Sequence, residues 1–253
     1  SEKTLRAFCS PMIGHRGSSF QELYAAIQLQ LQQLLFTKNP VFLSPSSARG
    51  VMEAAIRNLV RPGRKLLCCM NGAFSDKWLD VAVASGIAAE PVRVEWGRPI
   101  LPEMIEEKLR GGAFDAVTLI HNETSTGTMS PVADIARMMR NFPETLLIVD
   151  AVSSLSGVKI EMDALGLDVL LAGVQKALAL PPGMALFAVS SRALARAKGI
   201  PARGYYFDFM EFLKNHEKNM TPSTPSIGHV FALQSKLEEI FSEQLDRRFA
   251  RHQ

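Results

Sequence analysis

Short apolar runs recur along the chain at 41–44, 66–70, 92–94, 116–120, 146–150, 168–172 and 184–189. Several of these runs are continuous, with no alternation of polar and apolar positions. Strands covered on both faces have that pattern, so the runs predict a mostly parallel sheet.

The stretches between the runs carry apolar residues at helical spacing. Ser46 and Ser47 precede Val51, Ala54, Ala55, Ile56 and Leu59. Ser75 precedes Trp78, Leu79, Val81 and Ala82. Pro102 opens a segment with Glu103, Glu106 and Glu107 in its first turns, where the positive helix end favours acids. Ser130 and Pro131 read as N-cap and first helical residue before Ile135, Met138 and Met139. Strand and helix alternate, which predicts an α/β three-layer sandwich around a mostly parallel, roughly seven-stranded sheet.

Two longer helical stretches, 18–36 and 230–249, bracket this core. Either could serve a dimer; their patterning favours packing on their own sheet. Residues 201–225 are rich in aromatics and turn formers and read as an irregular excursion, conceivably toward a partner subunit. The last residues, Ala250 to Gln253, continue a helical pattern. The expected division is an N-terminal segment and helix over 1–37 and a large domain over 38–253.

Composition narrows the function classes. The chain has 253 residues and a formal net charge of +3, spread along its length. That implies a solvated mixed-charge surface and no nucleic-acid partner. No apolar run approaches the roughly 20 residues that span a bilayer, and no signal-peptide core follows the N-terminus. The three cysteines are Cys9, Cys68 and Cys69. Their odd count and the adjacent pair within an apolar run do not make a disulfide framework, and without C-x-x-C a metal site is not expected. The expectation is a cytoplasmic protein.

Candidate chemistry sits where strands end. Asp150 closes the run from Leu146, and ligands of open α/β sheets bind beyond the carboxyl ends of strands. A carboxylate there serves a ligand or caps a helix. Lys176 follows the run 168–172 through Gly173-Val174-Gln175, among apolar residues. A lysine so placed snorkels, pairs or loses its proton, and a lowered pKa is what a Schiff-base lysine needs; taken alone it also reads as an exposed loop lysine. His121-Asn122-Glu123-Thr124-Ser125-Thr126-Gly127 offers hydroxyl and amide groups at another strand end, or forms a polar turn. Ser44-Pro45-Ser46-Ser47-Ala48-Arg49 joins a strand to a helix start, a natural anion site, although Ser47 could simply be an N-cap. Neither nucleotide-binding glycine motif occurs, so a bound phosphate would not belong to a nucleotide.

In order, these blocks resemble the class V, fold-type I pyridoxal-5′-phosphate (PLP) aminotransferases, closest to the alanine–glyoxylate and serine–pyruvate group. The blocks are His121 to Gly127, Val149-Asp150-Ala151-Val152-Ser153-Ser154, and Gly173-Val174-Gln175-Lys176-Ala177-Leu178 followed by Pro181-Pro182-Gly183. The resemblance runs from Pro11-Met12-Ile13-Gly14-His15-Arg16 to the final helix. It implies that Lys176 bonds to the cofactor aldehyde and later shuttles the substrate α-proton. It implies that Asp150 keeps the pyridine nitrogen protonated, that Phe74 stacks on the ring and that Val152 packs on its other face. Thr124 matches the hydroxyl near the ring oxygen. Ser47, Ala48 and Arg49 match the phosphate turn, which Gln175 would also reach. Thr224 matches a residue given to the partner subunit's phosphate, since the family is homodimeric.

Glycine is usual in that turn where Pro45, Ser47 or Ala48 stand, and Arg49 is unusual there. The family's N-terminal Pro-Gly segment does not occur before Thr4. Its C-terminal small domain, which supplies the arginine that grips the substrate carboxylate, is also expected to be missing. The implied activity is transamination between alanine or serine and glyoxylate or pyruvate. Alternatives are a non-catalytic or truncated PLP-binding protein, or a lyase of cysteine desulfurase type. Against the latter, Gln175 precedes Lys176 where desulfurases place histidine.

Overall fold

The computed structural model describes residues 1–252, so the helical reading of Gln253 lies outside the described residues. In chain order the elements are α1 (Glu2–Phe8), α2 (Ser18–Leu35), β1 (Val41–Ser44), α3 (Ala48–Leu59), β2 (Lys65–Met70), α4 (Ala73–Ala84), β3 (Ala89–Arg93), α5 (Pro102–Arg110) and β4 (Phe114–Ile120). There follow β5 (Asn122–Glu123), β6 (Thr128–Met129), α6 (Val132–Met139), β7 (Leu146–Asp150), α7 (Met162–Leu165), β8 (Val169–Gly173) and β9 (Ala185–Val189). The chain closes with α8 (Ser191–Lys198), α9 (Phe209–His216), α10 (Ile227–Glu243) and α11 (Leu245–His252).

Seven strands form one sheet in the order β1-β9-β8-β7-β4-β2-β3. Strand β9 runs antiparallel to both neighbours and every other pair is parallel. The apolar runs are continuous because helices cover both faces. Along β2, Leu67 and Cys69 join one apolar cluster while Leu66, Cys68 and Met70 join the other. Strand β7 divides likewise, Leu147 and Val149 against Leu146 and Ile148. The first layer includes α2 and α10 and the second includes α3 and α4, which completes the expected three-layer sandwich. Both bracketing helices therefore pack on their own sheet.

Several local expectations are corrected. The stretch 230–249 is two helices, because Gln244 turns into the left-handed region (φ 71) and breaks the run after Glu243. Helix α6 starts one residue later than read: Pro131 is its N-cap, and the Ser130 hydroxyl instead accepts the Ile100 N–H at 3.3 Å. Helix α4 starts before Ser75, whose hydroxyl oxygen accepts the Asn71 and Gly72 amides at 2.9 Å each. The excursion 201–225 contains α9, capped by the Asp208 carboxylate on the Met210 N–H at 2.8 Å.

Candidate active site

The carboxyl ends of β4, β7 and β8 meet the N-termini of α3 and α4 around a cavity of about 220 Å³. Nine of the ten residues singled out in the sequence line it: Ser47, Ala48, Arg49, Phe74, Thr124, Asp150, Val152, Gln175 and Lys176. Asp150 and Lys176, placed by neighbouring strands, thus face one shared space.

Asp150 ends β7 almost wholly buried, at 3% exposure. Among the described residues its carboxylate accepts one hydrogen bond, from the Val152 N–H at 2.9 Å. Burial pushes its pKa up to about 7; that amide bond opposes the rise and nearby Glu123 adds to it. A buried carboxylate facing a cavity with a single neutral donor suits a cationic N–H arriving from a ligand.

Behind it, His121 stands at the end of β4, with Nδ1 2.9 Å from the Ser154 hydroxyl. Burial lowers its pKa to about 4, so at neutral pH the imidazole carries no charge that could compete for Asp150. The hydroxyls of Thr124 and Ser153 hydrogen-bond to each other and join the loop after β4 to the loop after β7.

Phe74 opens α4 and stays 45% exposed at the cavity. Its place is fixed by Glu123, which is fully buried. The Glu123 carboxylate accepts the Ser75 N–H at 2.8 Å, the Ser125 N–H at 3.0 Å and the Ser125 hydroxyl at 2.7 Å. Burial would raise the Glu123 pKa, but these bonds outweigh it and hold the group below the ordinary range. A carboxylate at a helix N-terminus also complements its dipole. Gly72 makes this approach possible, since a Cβ there would lie 2.4 Å from Glu123 Cγ.

Helix α3 turns its N-terminus toward the cavity. Its N-cap Ser47 makes no side-chain capping bond, so the first-turn N–H groups are not capped by that hydroxyl. Ala48 is buried beneath them while Ser47 and Arg49 are exposed, and all three line the cavity. The Lys176 turn stands opposite, closed by the Ala179 N–H on the Lys176 carbonyl at 2.7 Å.

Buried acid, aromatic platform, helix end and half-buried amine form a donor set that fits an aromatic phosphate with a basic ring nitrogen and an aldehyde. The class-V aminotransferase family matches residues 5–251. The chain belongs to that family. A soluble hydrogenase 42 kDa subunit of Anabaena cylindrica is 34% identical over 100% of this chain and 67% of its own length. An L-aspartate–glyoxylate aminotransferase of Paracoccus denitrificans is 34% identical over 99% of this chain and 65% of its own. The structure of an alanine–glyoxylate aminotransferase from Nostoc sp. superposes with a TM-score of 0.93 at 31% identity, covering 100% of this chain and 68% of that one. The chain spans about two thirds of the length of these relatives.

Class-V family resemblance also pointed to Thr224, and the cavity does not include it. Thr224 is exposed, with its hydroxyl 3.5 Å from His15 Nε2. Conversely, Met52, Lys77 and Ile120 line the cavity and were not singled out, and Asn122 and Ser153 line it without having been given a role of their own. Lys77 had a legible signal: it lies one helical turn after Phe74 and so shares its face. Ser153 and Asn122 sit inside quoted motifs. Met52 looked like any core residue of α3.

Proposed function

We propose that this chain forms the PLP-binding part of an aminotransferase that moves an amino group between a small amino acid, alanine or serine, and a 2-oxo acid such as glyoxylate or pyruvate. The observation that carries this reading is the buried, under-bonded Asp150 facing the same cavity as Lys176. The names of the Paracoccus and Nostoc relatives agree on glyoxylate as acceptor and differ in the donor.

When bound, PLP supplies an electron sink for charge developing at the substrate α-carbon. The protein's part is placement and proton control. Asp150 holds a proton on the ring nitrogen, and burial strengthens that pairing. Lys176 would hold the aldehyde end of the cofactor through its amine and, when free, would take and return the proton at the substrate α-carbon. Phe74 and Val152, both lining the cavity, would pack on the ring and exclude water. The first-turn amides of α3, with Arg49 and Gln175, would hold the phosphate, and Thr124 would serve the ring oxygen.

In the same reading the protein is a cytoplasmic homodimer, Thr224 reaches the partner's phosphate, and residues 1–37 form the N-terminal segment and helix that precede the cofactor domain of 38–253. Among the described residues no helix is long and apolar enough to cross a membrane and no His, Cys, Asp and Glu cluster could hold a metal. A desulfurase is disfavoured because Cys68 and Cys69 are buried in β2, where burial raises both thiols, Cys68 to about 11.

The test is borohydride reduction of the yellow protein, digestion and peptide mass spectrometry. Lys176 is expected to carry the pyridoxyl group, and Lys176→Ala to fold but lose the lysine-linked colour. A label on another lysine, or none, removes the mechanism. Alanine or serine should bleach the colour; a yellow protein indifferent to all amino acids would be a non-catalytic cofactor binder.

A further inference from the structure

We propose that Arg248 is a positioning residue that locks the Lys176 turn against the loop following Asp150, so that the amine and the acid keep one relative placement. This rests on reading Lys176 as the cofactor lysine.

Arg248 lies on α11 and is only 6% exposed, whereas the adjacent Arg247 is exposed. Its guanidinium reaches three separate segments. Nη2 donates to the Ala177 carbonyl at 2.6 Å, next in sequence to Lys176. Nε donates to the Ser156 carbonyl at 2.9 Å and to the Ser156 hydroxyl at 2.8 Å, on the loop that leaves Asp150. Nη1 donates to the Glu243 carboxylate at 2.8 Å, at the end of α10. A planar fork with five fixed donors can serve acceptors in different directions at once, and an ammonium on a flexible stem cannot.

The backbone around this side chain is strained where the bonds are made. Ser156 (φ 69), Ala179 (φ 53) and Gln244 (φ 71) are three of the five non-glycine residues with positive φ among the described residues. Ser156 accepts from Arg248, Ala179 closes the Lys176 turn, and Gln244 breaks the helix so that α11 turns back inward. Left-handed β-bearing residues persist only where surrounding contacts over-determine them. The two loops run close together: a Cβ added at Gly157 would come within 3.7 Å of the Ala177 Cβ and 3.4 Å of the His252 ring. Arg251 pairs with the other oxygen of Glu243 at 2.6 Å, which leaves the acid fixed as the anchor for Arg248.

The test compares Arg248→Met and Ser156→Ala with wild type in the full chain. In cofactor-free Arg248→Met, deuterium exchange at the Ala179 and Leu180 amides should rise at least about tenfold, as expected for loss of a well-made charged hydrogen bond. After PLP is added, the visible circular dichroism per bound cofactor should fall, because the ring is no longer held at one angle to the protein. Arg248→Lys should recover part of both signals. Ser156→Ala removes one acceptor and leaves the guanidinium paired, so it should shift both readouts in the same direction by less; it decides the matter if Arg248→Met does not fold. A merely structural arginine would lower the melting temperature and leave the exchange of those two amides and the ellipticity per cofactor unchanged, and that result overturns the proposal. If wild-type borohydride labelling misses Lys176, the functional reading fails first; if wild type labels at Lys176 and the variants match it in both readouts, only the role of Arg248 fails.

Discussion

At the amino-terminal edge of the sheet Asp115 is fully buried and accepts four hydrogen bonds: the Arg61 N–H (2.8 Å), Nε (2.9 Å) and Nη2 (2.6 Å), and the Arg64 Nε (2.9 Å). Asp168, two strands away at the same edge and just before β8, accepts the Leu147 N–H, the Ser190 hydroxyl and the Arg192 guanidinium. At the opposite edge Asp150 is as deeply buried and accepts one backbone amide. The electrostatics follow the donors. Burial would raise the Asp115 pKa, but its bonds to Arg61 and Arg64 hold it below the ordinary range, whereas Asp150 is driven up to about 7. Burial is common to both, so it does not mark a site; a buried acid left short of donors does. The open groove of about 580 Å³ that Asp163, Asp168 and Arg192 line is larger than the cavity at Asp150, yet its aspartates are already paired.

The largest effect that would break this contrast is expected at the satisfied edge. Asp115→Ala leaves Arg61 and Arg64 without their acid and Arg196, whose side chain is only 13% exposed, among like charges. Removing this buried acid, which also faces the largely buried Arg196, predicts destabilisation of about 3 kcal/mol, the low end for a broken buried pair because Arg61 and Arg64 are 41% and 34% exposed, read by urea unfolding at neutral pH. A cost below about 1 kcal/mol would mean that the arginines re-pair with Glu144 or solvent, at surface-pair strength, and that the contrast is smaller than drawn.

Asp150→Asn should act in the other direction. Asparagine keeps the Val152 N–H acceptor and removes the charge that burial opposes. With a folded pKa near 7 against an ordinary value of 3.8, the cofactor-free fold binds more protons than the unfolded chain between those limits, so Asp150 makes stability fall as pH rises through that window. His121 does the reverse: with a folded pKa near 4 against 6.5, it makes stability rise with pH between those values. The two slopes oppose each other over most of the range. In Asp150→Asn only the histidine slope should remain, and the cofactor-free variant should exceed wild type above pH 7 by roughly 2–4 kcal/mol. PLP should bind it more weakly. Melting curves across pH check the first expectation and spectroscopic titration the second; a variant less stable than wild type at pH 8 would show that Asp150 is not under-bonded.

Much of this edge was legible before the structure. Continuous apolar runs located the strands, because two-face burial removes the polar alternation that could have been misread. Motif order brought Asp150 and Lys176 to neighbouring strand ends. What was hidden depended on long-range partners. Nothing local to Glu123 says that its carboxylate reaches the start of α4, since the pairing exists only once β2 and β4 lie side by side. Gln244 is an ordinary helix residue whose left-handed turn is imposed by the docking of α11, so the long helical pattern ran through it. The strand at 92–94 began earlier than read, at Ala89, because Glu90 and Pro91 on an edge strand interrupt the apolar signal.

Glu123 offers the smallest and most discriminating change, since it is a buried acid at the same edge as Asp150 with its donors in place. Both of its oxygens accept N–H or hydroxyl donors, so Glu123→Gln must turn an amide NH₂ toward at least one of them. That should cost about 1–3 kcal/mol, measured by thermal or urea unfolding. Removing its negative charge also relieves Asp150, because Glu123 is one of the groups raising the Asp150 pKa. The falling arm of the stability–pH curve should therefore end below pH 7 in Glu123→Gln, by less than about one unit. In the Asp150→Asn background the same substitution should move no such arm, because no carboxylate is left to titrate. An equal pH shift in both backgrounds would assign it to α4 loosening around Phe74, and the two acids would then be neighbours without electrostatic coupling.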